Sequence, residues 1–540
     1  MFLQKIFNLF EKRLINYKFG DKLNPFEEFE KIKSKDPLPP ITKGTILVGP
    51  IRVSAVAHLL EGIIGYIYRL RGYKVYALMC GQKLNVCESK DLSLKSFAKC
   101  TICLSEQKKF CSTFEIEPLY IGDLLSSENE QEIQHSLDSL TMDSMLLNEK
   151  IDLSKEIKSG LMRVLKVSNV NNKRYLPLLK KYGKTAMETY IATENAIKKV
   201  NPTNVLMSHG VYSTWGGMIR ACENNKIDTV VWGRGYVNKG FVMATHGKSY
   251  LFENIVEPTS NYNGIELTDL QKDRVLSYFK GKRNPNEKVD YVNYYKDNKN
   301  VEKEIDIYNK LNIDKNKTLF GMFPNIPWDG QLFSSSENFP SISTFTKSTL
   351  EWFERNEEAH LIIRAHPAER HNHTKNQLET FKDILFDLYP KLPDNVTFLD
   401  ADSDISSYQI ENHIEVALLF AGTIGLEFSI NKTPVIQTGK NSSSNKGFLF
   451  EPNSNSEYHK MLNAFKSKQL HFSDEMYENA IKYAHYWVYE RHIPEEVINF
   501  EGELNFKGFN IKSSRELETV KSVNWFIDKI ESKEDFIYRI

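Results

Sequence analysis

Short apolar runs that break into glycine, proline or polar residues limit what this chain can fold into. Two of them are Leu361–Arg370 (LIIRAHPAER) and Leu418–Glu427 (LLFAGTIGLE). Each begins as an apolar run of strand length and then changes to residues that end a strand. In open α/β sheets, ligands bind outside the carboxyl ends of the strands. The polar residues that follow each run therefore predict a phosphate-binding site at one edge of a sheet.

The same pattern recurs along both halves of the chain. Strand-like runs begin near residues 44, 75, 204 and 228, and again near residues 318, 360, 396, 416 and 434. Helical stretches separate them, and this alternation predicts parallel sheets with helices on both faces. The predicted segments are an N-terminal amphipathic helix and lead-in (1–43), an N-terminal domain (44–265), a linker (266–315), a C-terminal domain (316–490) and a helical tail (491–540).

Composition excludes several classes of protein. The 540 residues are 41% hydrophobic and 26% charged, which is typical of a globular protein. Lys and Arg together number 70, as do Asp and Glu, so the net charge of zero gives no support to a nucleic-acid partner. No apolar run reaches the roughly 18 residues that a membrane-spanning helix needs.

The first residues predict an amphipathic helix. Phe2, Ile6 and Phe10 recur at helical spacing, with Lys5 and Lys12 among them. Lys5 interrupts the apolar run and no small-residue cleavage site follows, so this is not a signal peptide and a cytoplasmic location is expected. The helix either packs on its own domain or makes a peripheral contact with the inner face of an anionic membrane.

Five of the six cysteines fall within one segment, at Cys80, Cys87, Cys100, Cys103 and Cys111. In a cytosolic protein such a cluster is not expected to be a disulfide framework. A C-x2-C pair with further cysteines on each side suits a tetrahedral zinc, and the expected ligands are Cys87, Cys100, Cys103 and Cys111. Such a zinc would be structural, because four sulfur ligands leave no open position. Free thiols are the alternative.

Several motifs occur in an order that resembles one group of enzymes. They are Pro324–Asp329, Ile363–Glu369, Gly422–Glu427, Lys432–Ile436 and, in the first half, Ser208–Gly216 with the cysteine segment. This order resembles the GT-B-fold glycosyltransferases of bacterial capsule and surface polysaccharide biosynthesis. That group includes Kdo-transferase-like enzymes and is distantly similar to sialyltransferases and CDP-glycerol glycerophosphotransferases. The resemblance implies two Rossmann-like domains facing a cleft, with a cysteine-rich insertion in the N-terminal domain.

The resemblance also implies that the second half binds a nucleotide-sugar donor. In the related families the His of a His-Pro pair contacts the nucleotide, a role that falls here to His366. Its imidazole could donate to a phosphate oxygen or protonate the leaving phosphate, and Arg364 could supply a fixed positive charge. The alternative is a His that caps a helix and an Arg paired with Glu369. Glu369 itself belongs to the candidate donor-binding set.

Further candidate donor ligands follow neighbouring strands. Gly422 and Thr423 would present backbone N–H groups at the start of a helix, where its dipole also attracts anions. The resemblance implies that Glu427 accepts hydrogen bonds from ribose hydroxyls; an exposed helix carboxylate is the alternative. Asn325 and Asp329 follow the first strand of the second half and are candidates for positioning phosphate, sugar or acceptor.

The catalytic base is expected in the first half, where it would deprotonate the acceptor hydroxyl. His209, just after a strand, is the first choice, and His58 and Glu61 on the helix after the first strand are alternatives. Asp400, Asp402 and Asp404 have the spacing of a DxD motif, but a solvated turn is favoured there. No catalytic metal is therefore expected.

The sequence thus predicts a glycosyltransferase of a bacterial surface glycan. The donor would be a CMP-ulosonic acid or a UDP-sugar, and the acceptor a hydroxyl of a glycan, glycolipid or protein. Three alternatives remain open: a CDP-polyol phosphotransferase, a non-hydrolysing sugar-nucleotide epimerase, and a non-catalytic zinc-stabilised binding protein.

Overall fold

Two sheets form the frame of the molecule. The computed structural model describes residues 22–54, 56–88, 96–237, 240–247, 257–290, 304–370, 377–501 and 505–539. The predicted N-terminal amphipathic helix, with Phe2, Ile6 and Phe10, lies outside the described residues. No helix within the described ranges is both long and apolar enough to cross a membrane.

The strands follow the predicted apolar runs, with several additions. In chain order they are β1 (Thr45–Ile51), β2 (Lys74–Met79), β3 (Glu117–Tyr120), β4 (Leu146–Leu147), β5 (Ile151–Asp152), β6 (Asn204–Ser208), β7 (Thr229–Arg234), β8 (Gly240–His246), β9 (Thr318–Met322), β10 (Ala359–Arg364), β11 (Val396–Leu399), β12 (Val416–Leu419), β13 (Val435–Gln437), β14 (Ile493–Pro494), β15 (Ile498–Phe500) and β16 (Phe506–Phe509).

The first sheet has the strand order β14-β8-β7-β6-β1-β2-β3. Strands β7, β6, β1, β2 and β3 are parallel, whereas β8 and β14 join the edge in antiparallel pairs. The second sheet has the order β11-β10-β9-β12-β13 and is parallel throughout. The predicted α/β class with parallel sheets is confirmed.

Helices cover these sheets. In the first half the α-helices are Pro25–Ile32, Leu59–Leu70, Ser96–Thr113, Ile121–Leu124, Ser127–Ser139, Ser154–Leu165, Leu176–Val200 and Tyr212–Asn224. In the second half they are Asp269–Arg283, Ile307–Leu311, Gln331–Ser334, Ile342–Phe353, Phe381–Leu388, Ser407–Glu411, Ile424–Ile430, Asn455–Lys466, Asp474–His485 and Lys521–Ser532.

Each sheet is buried on both faces. Successive strand residues point to opposite sides, so one strand contributes side chains to two core clusters. In β1, Ile46 and Val48 belong to one core cluster, whereas Leu47 belongs to another. In β9, Leu319 and Phe320 are divided between two clusters in the same way. Burial on both faces explains why these strands are continuous apolar runs instead of alternating ones.

The predicted linker is part of the second half's core. Residues Asp269–Arg283 form a helix that begins with a capping box, in which Thr268 and Gln271 exchange hydrogen bonds. Val275 and Ile307 are fully buried in the same cluster as Leu319 of β9. Most of the described part of 266–315 is therefore packed structure, and two of its charged side chains, Lys282 and Arg283, form ion pairs with Glu427 and Glu411.

The predicted tail returns to the first half. Strand β14 pairs with β8 in the first sheet, and Phe526 and Ile527 of the last helix lie in the same core cluster as Ile63. Arg71 donates to Asp528 of this helix at 3.2 Å. Residues after 491 thus complete the N-terminal domain and do not form a separate extension.

Candidate functional site

The carboxyl edges of the two sheets face each other. The loop after β9 carries Trp328 and Asp329, and it lies against the end of the helix Ser154–Leu165. Arg163 of that helix forms an ion pair with Asp329 at 3.2 Å, and its guanidinium lies 4.7 Å from the centroid of the Trp328 ring. The N–H of Leu378 donates to the carbonyl of Leu165 at 3.3 Å. The two halves therefore meet beside the carboxyl edges of both sheets, where α/β folds bind ligands, and the region between these edges is termed the cleft.

Trp215 organises the N-terminal side of this cleft. Its indole N–H donates to the carbonyl of Gly49 at 3.1 Å, which fixes the ring beneath the end of β1. His209 stacks on it with ring centroids 5.3 Å apart, and the Arg52 guanidinium lies 4.7 Å from the ring. Such contacts hold a cation and an imidazole in place through the face of an aromatic ring. His58 also stacks on Trp215, at 6.2 Å.

Arg52 has donor capacity left over. Its Nε is buried and has no hydrogen-bond partner within the described part of the chain. Buried donors are normally satisfied, so an unpartnered guanidinium nitrogen at a sheet's carboxyl edge calls for an acceptor. A carboxylate or phosphate oxygen is the acceptor that matches a guanidinium best.

The backbone at this edge is strained. Ile51, His209 and Tyr212 have φ values of 53°, 61° and 67°, in the left-handed region that residues other than glycine rarely adopt. All three lie where β1 and β6 end, and such residues cluster at ligand sites because the surrounding structure must hold them there. The strained positions thus mark the same place as the stack on Trp215.

His209 is neutral at physiological pH. Burial, together with the nearby positive charges of Arg52 and Arg163, lowers its pKa to about 4. The backbone N–H of His209 donates to the carbonyl of Trp232 on the neighbouring strand β7 at 2.9 Å. The predicted base is therefore at a strand end and in a form that can accept a proton.

Glu61 and His58 lie deeper than His209. Glu61 is fully buried and accepts a hydrogen bond from the Trp232 indole N–H at 3.1 Å. Burial raises its pKa to about 8, so this carboxyl group is protonated near neutral pH. The backbone N–H of Ser54 donates to Nδ1 of His58 at 3.1 Å. The His58 side chain is only 3% exposed and its Nδ1 already accepts this hydrogen bond. His58 is therefore a weaker candidate for the catalytic base than His209.

His366 lies on the C-terminal side, just after β10. The backbone N–H of Ala368 donates to its Nδ1 at 3.1 Å. Nδ1 is then the unprotonated nitrogen, so Nε2 carries the proton of the neutral ring. Burial and the neighbouring Arg364 lower the pKa of His366 to about 4. The neutral ring can donate a hydrogen bond through Nε2, but it is not the cationic acid that protonation of a leaving phosphate would require.

Arg364 differs from its predicted role. The side chain is 2% exposed and donates to four backbone carbonyls, of Ile405, Ala365, Asp400 and Ser403, at 2.6–3.3 Å. These bonds fix the loop that follows β11. The guanidinium is thus a structural support of that loop, because its donors are already used by the chain itself.

Glu369 also has a structural partner. It is 6% exposed and accepts a hydrogen bond from the backbone N–H of Phe381 at 2.9 Å, at the start of the helix Phe381–Leu388. Burial raises its pKa to about 7. Glu369 thereby fixes the start of that helix.

Gly422 and Thr423 form the turn after β12 that the sequence predicted. Thr423 is exposed and occupies the N-cap position of the helix Ile424–Ile430, with no capping hydrogen bond from its side chain. The carbonyl of Gly422 accepts from the side chain of Asn441 at 3.0 Å. The turn is thereby anchored while the Thr423 hydroxyl is not used for the cap.

Glu427 is buried, not exposed. It forms an ion pair with Lys282 at 2.9 Å and accepts from the Tyr408 hydroxyl at 2.8 Å. Lys282 also pairs with Asp290 at 3.0 Å. Two acidic partners raise the pKa of Lys282 well above its usual value despite burial. The Glu427 carboxylate is therefore oriented by this network before any ligand binds.

Asn325 and Asp329 border the cleft. The Asn325 amide donates to the carbonyl of Ile326 at 3.3 Å, and its Oδ1 is buried with no hydrogen-bond partner within the described ranges. Asp329 is the ion-pair partner of Arg163. Asn325 thus keeps an acceptor without a partner among the described residues, whereas Asp329 contacts an arginine of the other half.

The three aspartates of the DxD-like segment do not converge. Asp400 pairs with Lys382 at 3.1 Å, Asp404 pairs with Lys310 at 2.7 Å, and Asp402 pairs with Arg370. Each carboxylate thus has its own cationic partner. The loop matches the solvated turn that the sequence favoured.

The cysteine segment is a crossover helix between β2 and β3. Cys100, Cys103 and Cys111 lie on the helix Ser96–Thr113. Cys103 and Cys111 are eight positions apart, which is about 12 Å along a helix axis, whereas zinc holds two sulfurs within roughly 4.6 Å of each other. Among the described residues, no group of three or more His, Cys, Asp or Glu side chains could hold a metal ion. Together with Cys87, they do not form the predicted tetrahedral set.

Several residues of the site were missed. Arg52 directly follows the first predicted strand, and its position could have been recognised. Trp215 lies within the quoted motif Ser208–Gly216, but nothing in the sequence indicates that other side chains stack on it. Arg163 and Lys282 lie within helices, and their partners are distant in sequence. No local pattern indicates such contacts.

Comparisons with known proteins reveal distant similarity in structure. No protein-family model and no curated protein matches the chain. Solved structures similar to it include a KpsC β-Kdo 2,4 transferase from Thermosulfurimonas dismutans, with 12% identity, 52% of this chain and 79% of that chain covered, and a TM-score of 0.32.

Two others extend over more of the molecule. A glycosyltransferase from Rickettsia africae has 14% identity over 91% of this chain and 98% of that chain, with a TM-score of 0.27. A UDP-GlcNAc 2-epimerase from Neisseria meningitidis has 11% identity over 82% of this chain and 98% of that chain, with a TM-score of 0.25.

Proposed function

We propose that this protein is a nucleotide-sugar-dependent glycosyltransferase whose donor binds between the two sheet edges. One observation carries the proposal. Two histidines follow strands of the two different sheets, one able to donate a hydrogen bond and the other able to accept a proton. His366 has a protonated Nε2 that can donate to an acceptor oxygen, and neutral His209 can accept a proton. A transfer from a phosphate leaving group to a hydroxyl needs both capacities.

The reaction follows from these positions. The oxygen of the acceptor hydroxyl attacks the anomeric carbon of the donor, and the bond between that carbon and the phosphate oxygen breaks. The hydroxyl proton passes to His209. The negative charge that develops on the phosphate is stabilised by the His366 Nε2–H and by the backbone N–H groups after Gly422. Dipolar N–H groups of the protein then do the work that a cation does elsewhere, and the proposed reaction is metal-independent.

Arg52 supports an anionic ligand on the N-terminal side. Its buried Nε lacks a partner within the described residues, and its guanidinium lies on the same indole as His209. A negatively charged group bound there would also raise the pKa of His209, because an opposite charge stabilises the protonated ring. The base would thereby become stronger when substrate is present.

We propose that the donor is a CMP-ulosonic acid or a UDP-sugar. The acceptor is a hydroxyl of a bacterial surface glycan, glycolipid or glycoprotein. The order of motifs from Ser208 to Ile436 supports this choice. Nucleotide sugars carry a phosphate and a ribose, which His366 and Glu427 would contact.

The test is nucleotide release from a panel of CMP-, UDP- and GDP-sugars, measured with and without a chelator. We expect nucleotide to be released from one donor class even when the chelator is present. The rate of this release should fall at least about 100-fold in His366→Ala and in His209→Ala. His135→Ala, an exposed histidine on the helix Ser127–Ser139, is the matched control and should keep full activity. NMR of the same reactions would detect epimerisation of the sugar at C2. Epimerisation without transfer, or no donor consumed by the wild type, would overturn the proposal.

A further inference from the structure

A second crevice lies at the far edge of the C-terminal sheet. Its volume is about 660 Å³, and its lining includes Arg283, Glu411, Asn412, Asn431, His471 and Phe472. The lining also includes Glu415 and Pro434, which immediately precede β12 and β13. The crevice is thus at the amino edge, whereas Gly422 follows the carboxyl end of β12. Four strand residues span about 13 Å, so this crevice is separate from the cleft.

Its polar groups are already held in place. Arg283 pairs with Glu411 at 2.7 Å, and Glu411 also accepts from Asn431 at 3.1 Å and from Thr433 at 3.3 Å. The guanidinium lies 4.5 Å from the centroid of the Tyr408 ring, which fixes its plane. A guanidinium has five N–H donors, so Arg283 can serve Glu411 and still donate to a ligand. Groups fixed in advance bind a ligand at a smaller cost in entropy.

The charges of the lining balance. Arg283 and Lys432 are matched by Glu411 and Glu415, and Lys432 also pairs with Asp474 at 3.2 Å. A phosphate or carboxylate ligand would need an excess of positive charge, and this crevice does not supply one.

The remaining lining combines amides with an apolar wall. Asn412 and Asn431 each offer both donors and acceptors, and Ile414, Leu470 and Phe472 supply apolar surface. A pyranose presents hydroxyl groups at its rim and C–H groups on its faces, so it matches both kinds of lining. The volume lies within the roughly 300–1,000 Å³ of small-molecule sites.

We propose that this crevice binds a neutral saccharide at a site distinct from the cleft. The preorganised polar groups would pair with sugar hydroxyls while the apolar wall packs on a ring face. The proposal does not depend on the transferase chemistry, because a glycan bound here need not be a substrate in the cleft.

The test is saturation-transfer NMR with the full chain against maltotriose, cellotriose and chitotriose, with glucose 1-phosphate as the charged comparator. We expect at least one neutral trisaccharide to bind at about 10 mM or below and to bind at least about tenfold more weakly in Asn412→Ala/Phe472→Ala. These side chains are exposed and half-buried, so the double variant should fold. Glu415→Gln is a second, more conservative variant with the same expected direction.

Two controls separate this site from the cleft. His366→Ala and saturating UDP should leave trisaccharide binding unchanged, whatever their effect on nucleotide release. The inference is overturned if no neutral trisaccharide binds to the wild type, if only glucose 1-phosphate binds, or if UDP displaces the trisaccharide. Equal binding by the wild type and both crevice variants would also overturn it.

Discussion

At the scale of single residues, burial decides which form the ionisable groups of the site adopt. His209 and His366 are both neutral, with pKa values lowered to about 4, because each is buried beside an arginine. Glu61 is protonated for the same reason, since burial favours the uncharged form of any group. The site therefore contains uncharged proton donors and acceptors next to the fixed cation of Arg52.

Glu61 makes the stability of the protein depend on pH. Its folded-state pKa of about 8 lies above the usual value of 4.5, so the folded state binds the extra proton between these values. Its contribution is fully present below about pH 4.5 and is lost as the pH rises through about 8. We expect Glu61→Gln to flatten the fall in unfolding free energy between pH 5 and 8, by up to about 1.4 kcal/mol per pH unit.

Urea unfolding of the two proteins at several pH values checks this prediction. Glu266→Gln, which removes an exposed carboxylate just before the helix Asp269–Arg283, is the control and should leave the pH profile unchanged. A Glu61→Gln protein with the same slope as the wild type would show that Glu61 is ionised in the fold.

Arg364 separates a structural role from a binding role. Arg364→Met removes the side-chain donor from four backbone carbonyls, of which that of Asp400 keeps the Ser403 N–H at 2.9 Å. A buried group left unsatisfied costs about 1–3 kcal/mol. We therefore expect a fall in melting temperature in the absence of any ligand. Arg370→Met, which removes an exposed guanidinium, should have little effect. Unchanged stability together with a loss of nucleotide affinity would instead favour the phosphate contact first expected for Arg364.

The sequence indicated the positions of the site residues better than their contacts. His209, His366 and Thr423 were placed at strand ends, because apolar runs and turn residues are local signals. The partners of Arg364 and Glu427 were not predictable, since Ile405, Lys282 and Tyr408 approach them only through the fold. Both charged residues were predicted to bind ligand, but in the fold other parts of the chain supply their partners.

At the scale of secondary-structure elements, local patterns again succeeded where the contacts are local. The predicted strands at β1, β2, β6, β7 and β9 to β13 are all present, because each is a short apolar run between polar turns. The strands that were missed are β3, β4, β5, β8, β14, β15 and β16. Among them, β8 pairs with β7 at the edge of the first sheet, and the two-residue strand β14 pairs with β8 only after the chain returns from the second half.

The last helix, Lys521–Ser532, is expected to stabilise the N-terminal domain. Phe526 is 3% exposed and lies in the core cluster of Ile63 and Ile64. Phe526→Ala should cost about 3–5 kcal/mol of unfolding free energy, since it removes a buried ring and leaves a cavity. Lys521→Ala on the exposed face of the same helix should cost less than about 0.5 kcal/mol. Equal stability of the two variants would show that the helix is not part of this core.

At the scale of the whole molecule, the two sheets place separate chemical capacities on opposite sides of one cleft. The N-terminal edge supplies a proton acceptor and an arginine nitrogen without a partner among the described residues, and the C-terminal edge supplies an imidazole donor and a glycine turn. Contacts such as Arg163 with Asp329 join the edges. An exposed pair of this kind is worth only about 0–1 kcal/mol.

Calorimetric titration measures whether a nucleotide binds in this cleft against His366. CMP, CDP, UDP and GDP would be titrated into the wild type, His366→Ala and the control His135→Ala. We expect at least one nucleotide to bind to the wild type and to the control with equal affinity, and about tenfold or more weakly to His366→Ala. No binding by the wild type, or equal binding by all three proteins, would contradict it.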